Sequence, residues 1–110
     1  MIINRPSILI YAVEASKSAL KEICAGIEEE GVLYEVVKKD KGSAKELAYA
    51  AANESVLGSG IGIFKTEMAL QMRNIKMEKP VFYSEKEEES QCRKLGINSA
   101  RAVKHRPFQI

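Results

Sequence analysis

SILIYAV, residues Ser7 to Val13, is the stretch on which the fold turns. It is a continuous apolar run of strand length rather than an alternating one, and such a run suits a strand covered on both faces. Working outward, a helix is expected from about Ala15 to Glu30. Leu20, Ile23, Cys24 and Ile27 recur there at the three-four spacing of one buried stripe, and Gly31 stops the helix by accepting the left-handed conformation. Val32 to Val37 (VLYEVV) reads as a second strand. Ser43 and Glu46 form an S-x-x-E capping box ahead of LAYAAA, which starts a second helix near Ala44. Gly58 to Phe64 (GSGIGIF) is a third strand whose glycines mark the close approach of another backbone.

The next stretch is ambiguous by pattern. Met68, Leu70 and Met72 alternate with Ala69, Gln71 and Arg73, which favours a strand hairpinned to the third, although EMALQMR also has the composition of a helix. The strand is the preferred reading for 67–74. Pro80 to Tyr83 is a further short strand. Ser84 and Glu87 make a second capping-box pattern before a helical region through Leu95, where Gly96 is expected to interrupt it and Asn98 or Ser99 to cap a last turn through Lys104. The order β-α-β-α-β-β-β-α predicts a three-layer α/β fold with a mixed, mostly parallel sheet, residues 1–110 forming one domain.

Composition narrows the function classes. Of 110 residues, 45% are hydrophobic and 29% charged, which is ordinary for a folded globular chain, and the net charge of +2 is too small to steer the whole molecule toward nucleic acid. Charge is nevertheless uneven. Glu85, Glu87, Glu88 and Glu89 form an acidic block, and Arg93, Lys94, Arg101, Lys104 and Arg106 follow with no acid among them. No run approaches the ~18 apolar residues of a membrane span, and MIINRPSILIYAV lacks a cleavage pattern, so the cytoplasm is the expected location. Cys24 and Cys92 form no CxxC and there is a single histidine, so neither zinc nor a disulfide framework is supported; both are expected to be buried thiols. His105 has neither a second histidine nor a nucleophile elbow to work with, and GSGIG lacks the Lys-Ser/Thr of a phosphate loop. Four tyrosines, three phenylalanines and no tryptophan give few platforms for stacking bases.

One local feature breaks the rules. Glu28, Glu29 and Glu30 fill the last turn of the first helix, where carboxylates face the negative end of the helix dipole and repel one another, at a cost of about 0.3–1 kcal/mol each when exposed. On the helical wheel Glu30 lies at the margin of the buried stripe, Glu28 on the flank and Glu29 nearly opposite it. Glu29 is therefore expected to point to solvent, where a cation or a basic partner could meet it; a screened surface cluster explains the same residues equally well.

Two motifs carry a family resemblance. Gly26-Ile27-Glu28-Glu29-Glu30-Gly31 (GIEEEG), directly after the amphipathic helix, resembles the corresponding motif in the small subunit of diol and glycerol dehydratase reactivases. Asn98, Ala100, Arg101, Val103, Lys104, Pro107 and Phe108 resemble that family's N-x-A-R-x-V-K-x-x-P-F pattern. The likeness spans nearly the whole chain, with a divergent middle. It implies a fold similar to the dehydratase medium subunit and a non-catalytic role. It also implies a large partner carrying an actin-like ATPase domain with ATP or ADP, generally two large and two small chains. The client would be an adenosylcobalamin-dependent dehydratase, whose medium subunit the small subunit displaces so that damaged cobalamin can leave. Free cytoplasm and a bacterial microcompartment are both compatible. The resemblance further implies Mg2+ at the interface with the large subunit, with Glu29 as its ligand from this chain. An exchangeable subunit must also present an interface in its free state, so the isolated chain is expected to self-associate or pack into symmetric pairs. A medium-subunit-like piece of a dehydratase and an RNA- or nucleotide-binding α/β module are the alternative readings.

Overall fold

The computed structural model describes residues 6–109. Its elements are β1 (Ile8–Val13), α1 (Lys17–Glu29), β2 (Tyr34–Lys38), α2 (Ala44–Glu54), β3 (Ser59–Phe64), β4 (Glu67–Met72), β5 (Phe82–Ser84) and α3 (Glu89–Val103). The order is the predicted one, and the strand reading of 67–74 holds: Ile61 faces Leu70 and Ile63 faces Met68 across an antiparallel hairpin. β1 pairs in parallel with both β2 and β3, and β4 and β5 add antiparallel, so the sheet runs β2-β1-β3-β4-β5.

β1 is buried along its whole length, as its unbroken apolar run requires. Ile8, Ile10 and Ala12 face a core built with Ile23, Ile27, Cys92 and Leu95, so α1 and α3 cover that side. Leu9, Tyr11 and Val13 face Leu47 and Ala51 of α2 on the other. The placement follows from handedness. The crossovers β1-α1-β2 and β2-α2-β3 move in opposite directions along the sheet, and connections of one hand must then put their helices on opposite faces.

Small residues set the spacing of the layers. A Cβ on Gly62 would lie 2.2 Å from the Ala44 carbonyl oxygen, and one on Gly60 would lie 2.2 Å from the Ala52 nitrogen. The alanine face of α2 (Ala44, Ala48, Ala51, Ala52) thus rests directly on the backbone of β3. GSGIG is a packing surface. The capping box at Ser43 and Glu46 forms in both directions, 3.2 Å from the Glu46 N–H to Ser43 Oγ and 3.0 Å from the Ser43 N–H to Glu46 Oε1.

Three expectations are corrected. Gly96 does not interrupt the last helix, which is continuous from Glu89 to Val103. It permits a backbone crossing: a Cβ there would stand 2.0 Å from the Ile23 carbonyl oxygen, and one on Gly26 would stand 2.5 Å from the Arg93 carbonyl oxygen. Close contact with α1 offsets the roughly 1 kcal/mol by which glycine disfavours a helix. Ser84 does not cap α3 either. Its hydroxyl closes on Lys86, accepting from the N–H at 3.1 Å and donating to the carbonyl at 3.0 Å, and the helix begins after Glu88 without a side-chain cap. Of the two cysteines only Cys92 is buried, beside Met68 in the core; Cys24 is half-buried on the outer flank of α1.

Candidate functional site

The two sequence motifs meet in space. α1 ends at Glu29, and its capping residue Glu30 gives way to Gly31 at φ +74, the left-handed conformation for which glycine is suited. α3 runs alongside in the same direction and brings Arg93 against Glu29, and Arg101 and Lys104 against Glu30. Each carboxylate finds a different partner.

Glu30 lies inward. Its side chain is only 9% exposed and is surrounded by Arg101 Nε at 3.3 Å, Lys104 Nζ at 3.4 Å and Arg106 Nη1 at 3.6 Å. Lys104 Nζ also donates to the Glu30 carbonyl at 2.7 Å, which places a cation on the end of a helix that has no basic residue in its own last turn. Burial alone would push the Glu30 carboxyl up, but hydrogen bonds and charge from Arg101 and Lys104 outweigh it and hold the carboxyl below its ordinary range. A carboxyl depressed in the folded state contributes stability above its unfolded pKa of about 4.3 and loses it as pH falls through the folded value. Glu30→Gln is therefore expected to lower the urea midpoint at pH 7. The gap from the parent should close in acid, below that range; a gap that does not change with pH would show that Glu30 acts by shape alone.

Glu29 lies outward, its side chain 51% exposed, as the wheel predicts, but it is not free: Arg93 Nη2 donates at 2.9 Å and Nε at 3.2 Å. Both contacts use Oε2, leaving Oε1 to other ligands. Arg93 also reaches Glu22 Oε1 at 3.3 Å and so ties two turns of α1 to α3. Glu28 turns to the opposite flank, where the Tyr34 hydroxyl donates to it at 2.6 Å and is pushed up in pKa by that bond. Sequence reasoning missed Arg93 as the partner of Glu29. The signal lay in spacing: Arg93, Arg101 and Lys104 stand eight and three residues apart, which places them on one stripe of a helix, but only of an unbroken one.

The rest of the second motif fastens the tail. The Asn98 side chain accepts from the Gln109 N–H at 2.7 Å and donates to the Gln109 carbonyl at 3.2 Å, and Arg101 Nη1 donates to the Pro107 carbonyl at 3.3 Å. Phe108 is thereby held at the surface, 48% exposed, beside the charged cluster. All of this lies at the end of the sheet where β2 begins. In open α/β sheets small ligands bind at the opposite, carboxyl ends of the strands. There a shallow groove of about 460 Å³ holds Lys39, Lys41 and Glu46, and the Tyr11 hydroxyl donates to Glu54.

No catalytic constellation is present among the described residues. Burial pushes Cys92 up to about 11 and also raises Cys24, so neither thiol is activated. His105 sits in an exposed turn. Among the described residues no three His, Cys, Asp or Glu gather as a metal cage, and no helix is long and apolar enough to cross a membrane.

Residues 5–109 match the dehydratase medium subunit family. The chain belongs to that family. In sequence it is similar to small subunits of dehydratase-reactivating factors. It is 31% identical over 107 residues to the propanediol dehydratase-reactivating factor small subunit of Salmonella typhimurium, covering 96% of this chain and 92% of the relative. It is 30% identical over 107 residues to the diol dehydratase-reactivating factor small subunit of Klebsiella michiganensis, covering 96% and 86%. Among solved structures, a diol dehydratase-reactivating factor complexed with ADP and Mg2+ matches with a TM-score of 0.89 at 28% identity, over 97% of this chain and all of that one. A glycerol dehydratase reactivase matches with a TM-score of 0.88 at 30% identity, over 97% and 98%. This chain thus resembles reactivating-factor small subunits in sequence, length and fold.

Proposed function

We propose that this chain is the small subunit of a reactivating factor for an adenosylcobalamin-dependent diol or glycerol dehydratase. In this reading it is a non-catalytic partner of a larger ATPase subunit, with two copies of each in the assembly. It exchanges with a dehydratase subunit so that damaged cobalamin is released. Its setting is the cytoplasm, free or within a microcompartment. The observation that carries the reading is the junction of the GIEEEG and N-x-A-R-x-V-K-x-x-P-F motifs into one charged surface beside an exposed phenylalanine, on a chain with no catalytic constellation among its described residues. Exposed aromatic and arginine side chains at such a surface suit a protein partner. The test is co-expression with the large subunit, native mass spectrometry of the product, and release of damaged cobalamin from inactivated dehydratase. A chain that forms no hetero-oligomer, or an assembly that releases no cobalamin, overturns it.

Glu29 is the residue of this surface suited to a shared Mg2+. Hard cations take carboxylate oxygens, Oε1 of Glu29 is available, and one carboxylate beside Arg93 is too little to hold the ion without donors from a second protein. The ion would supply charge that ties the two chains together, while nucleotide stays on the large subunit. Glu29→Gln is expected to weaken Mg2+-dependent association with the large subunit by about tenfold, the equivalent of 1.4 kcal/mol, with the fold unchanged by circular dichroism. Equal affinity for parent and variant, with no effect of chelator on the parent complex, would remove the metal from the interface.

A further inference from the structure

β2 lies at the edge of the sheet, and no described strand pairs with its outer side. The Ile8 N–H donates to the Leu33 carbonyl and the Lys39 N–H to the Ala12 carbonyl, each at 2.9 Å, which fixes the phase of the parallel ladder. Glu35 and Val37 therefore direct their backbone groups inward to β1, and Tyr34, Val36 and Lys38 direct theirs outward. Edge strands are usually blunted by shortness, proline or bulges. β5, at the other edge, is three residues long and follows closely on Pro80. β2 has five residues, no proline or glycine, and a valine at its centre that is 39% exposed.

We propose that β2 pairs antiparallel with β2 of a second copy about a two-fold axis through Val36, joining the two sheets into one and laying the α1 helices side by side across the join. In this register Tyr34 faces Lys38 of the copy and Val36 faces Val36, so every outward N–H and C=O of the three meets a partner. Tyr34, Val36 and Lys38 share the face covered by α1, because they align with Ile8, Ile10 and Ala12 of β1. Each Lys38 ammonium comes onto the Tyr34 ring and toward Glu28, to which the Tyr34 hydroxyl is bonded at 2.6 Å.

The helices match as well. Between α1 and β2 runs a groove of about 520 Å³ with Lys17 and Lys21 at one end, Glu28 and Tyr34 at the other, and Leu20 and Cys24 between. A two-fold axis reverses one groove against the other, so lysines meet Glu28 and apolar middles meet. Strands repeat every ~4.8 Å, so two helices that each ride over the outer strand pair come about 10 Å apart, the distance at which helices pack. The occupant that fits this edge and groove in length and in sign of charge is a second copy of the chain. The inference stands apart from the reactivating-factor reading.

The test uses the isolated full chain. Light scattering from micromolar to millimolar protein should show a species of twice the 12.2 kDa monomer, and Val36→Glu, which sets two carboxylates against each other on the axis, should return it to monomer. In a Cys24→Ser background, Val36→Cys should oxidise to a covalent dimer, since a hydrogen-bonded antiparallel pair has a Cα separation of ~5.5 Å, within disulfide range. Lys38→Cys should not. A parent that stays monomeric, a dimer that survives Val36→Glu, or equal cross-linking at both positions overturns the proposal. So does a monomeric parent whose Val36→Glu variant loses the large subunit, which would give the edge to that partner. Glu29→Gln should leave the dimer intact, so failure of either idea is seen separately.

Discussion

Gly96→Ala is expected to destabilise the chain by about 3 kcal/mol, although alanine is the better helix former by about 1 kcal/mol. The added methyl would stand 2.0 Å from the Ile23 carbonyl oxygen and 2.9 Å from its carbon. These are backbone atoms in the middle of α1 and cannot rotate aside, so the two helices must separate. Separation loosens the core around Ile23, Ile27, Cys92 and Leu95, and it draws Arg93 and Arg101 away from Glu29 and Glu30. The urea midpoint measures the first effect. A midpoint at or above the parent's would mean that α1 and α3 can move apart at no cost, and the crossing would then not define the surface.

Gly62→Ala is expected to be at least as damaging, because it acts on the opposite layer and on a central strand. Its methyl would meet the Ala44 carbonyl oxygen at 2.2 Å and the Ala48 nitrogen at 2.3 Å, both in the first turns of α2. To make room α2 has to lift from the sheet along its alanine face, which leaves Leu9, Tyr11 and Val13 of β1 partly uncovered. A cost of about 3 kcal/mol or more is a large part of the stability of a domain of this length. The expected result is a chain with retained helix signal but rapid cleavage by protease at neutral pH. Protease resistance equal to the parent's would mean that α2 is not seated as described.

Much of this architecture was legible because separate local signals agreed. SILIYAV reads as a doubly covered strand and is one, since an apolar run without alternation leaves no face for water. Met68 and Leu70 turn inward in β4 as their alternation predicts, pairing with Ile63 and Ile61. The glycines of GSGIG were readable as close contacts because a strand otherwise gains from side chains. The same logic failed at Gly96, where glycine has two meanings: in a helix it signals either an end or a close neighbour, and only the neighbour's position decides. Reading an end there also hid the site. Broken at Gly96, α3 has no single stripe that carries Arg93 with Arg101 and Lys104, so Glu29 had no visible partner and Glu30 no visible compensation. Ser84 failed for a similar reason, as a hydroxyl that can cap a helix can equally close a turn on Lys86.

The direct contact of α1 with α3 also sets an order in time. The chain leaves the ribosome from its N-terminus, and the stripe of Ile23 and Ile27 on α1 waits until Leu95 and Ala100 emerge about 70 residues later before it is covered. Through most of synthesis that face of the nascent sheet has α1 alone to cover it. Docking of the last helix closes that face, and the same event draws the basic stripe onto the glutamates. The charged surface therefore forms only once α3 has docked on α1, and a product cut short before α3 lacks it.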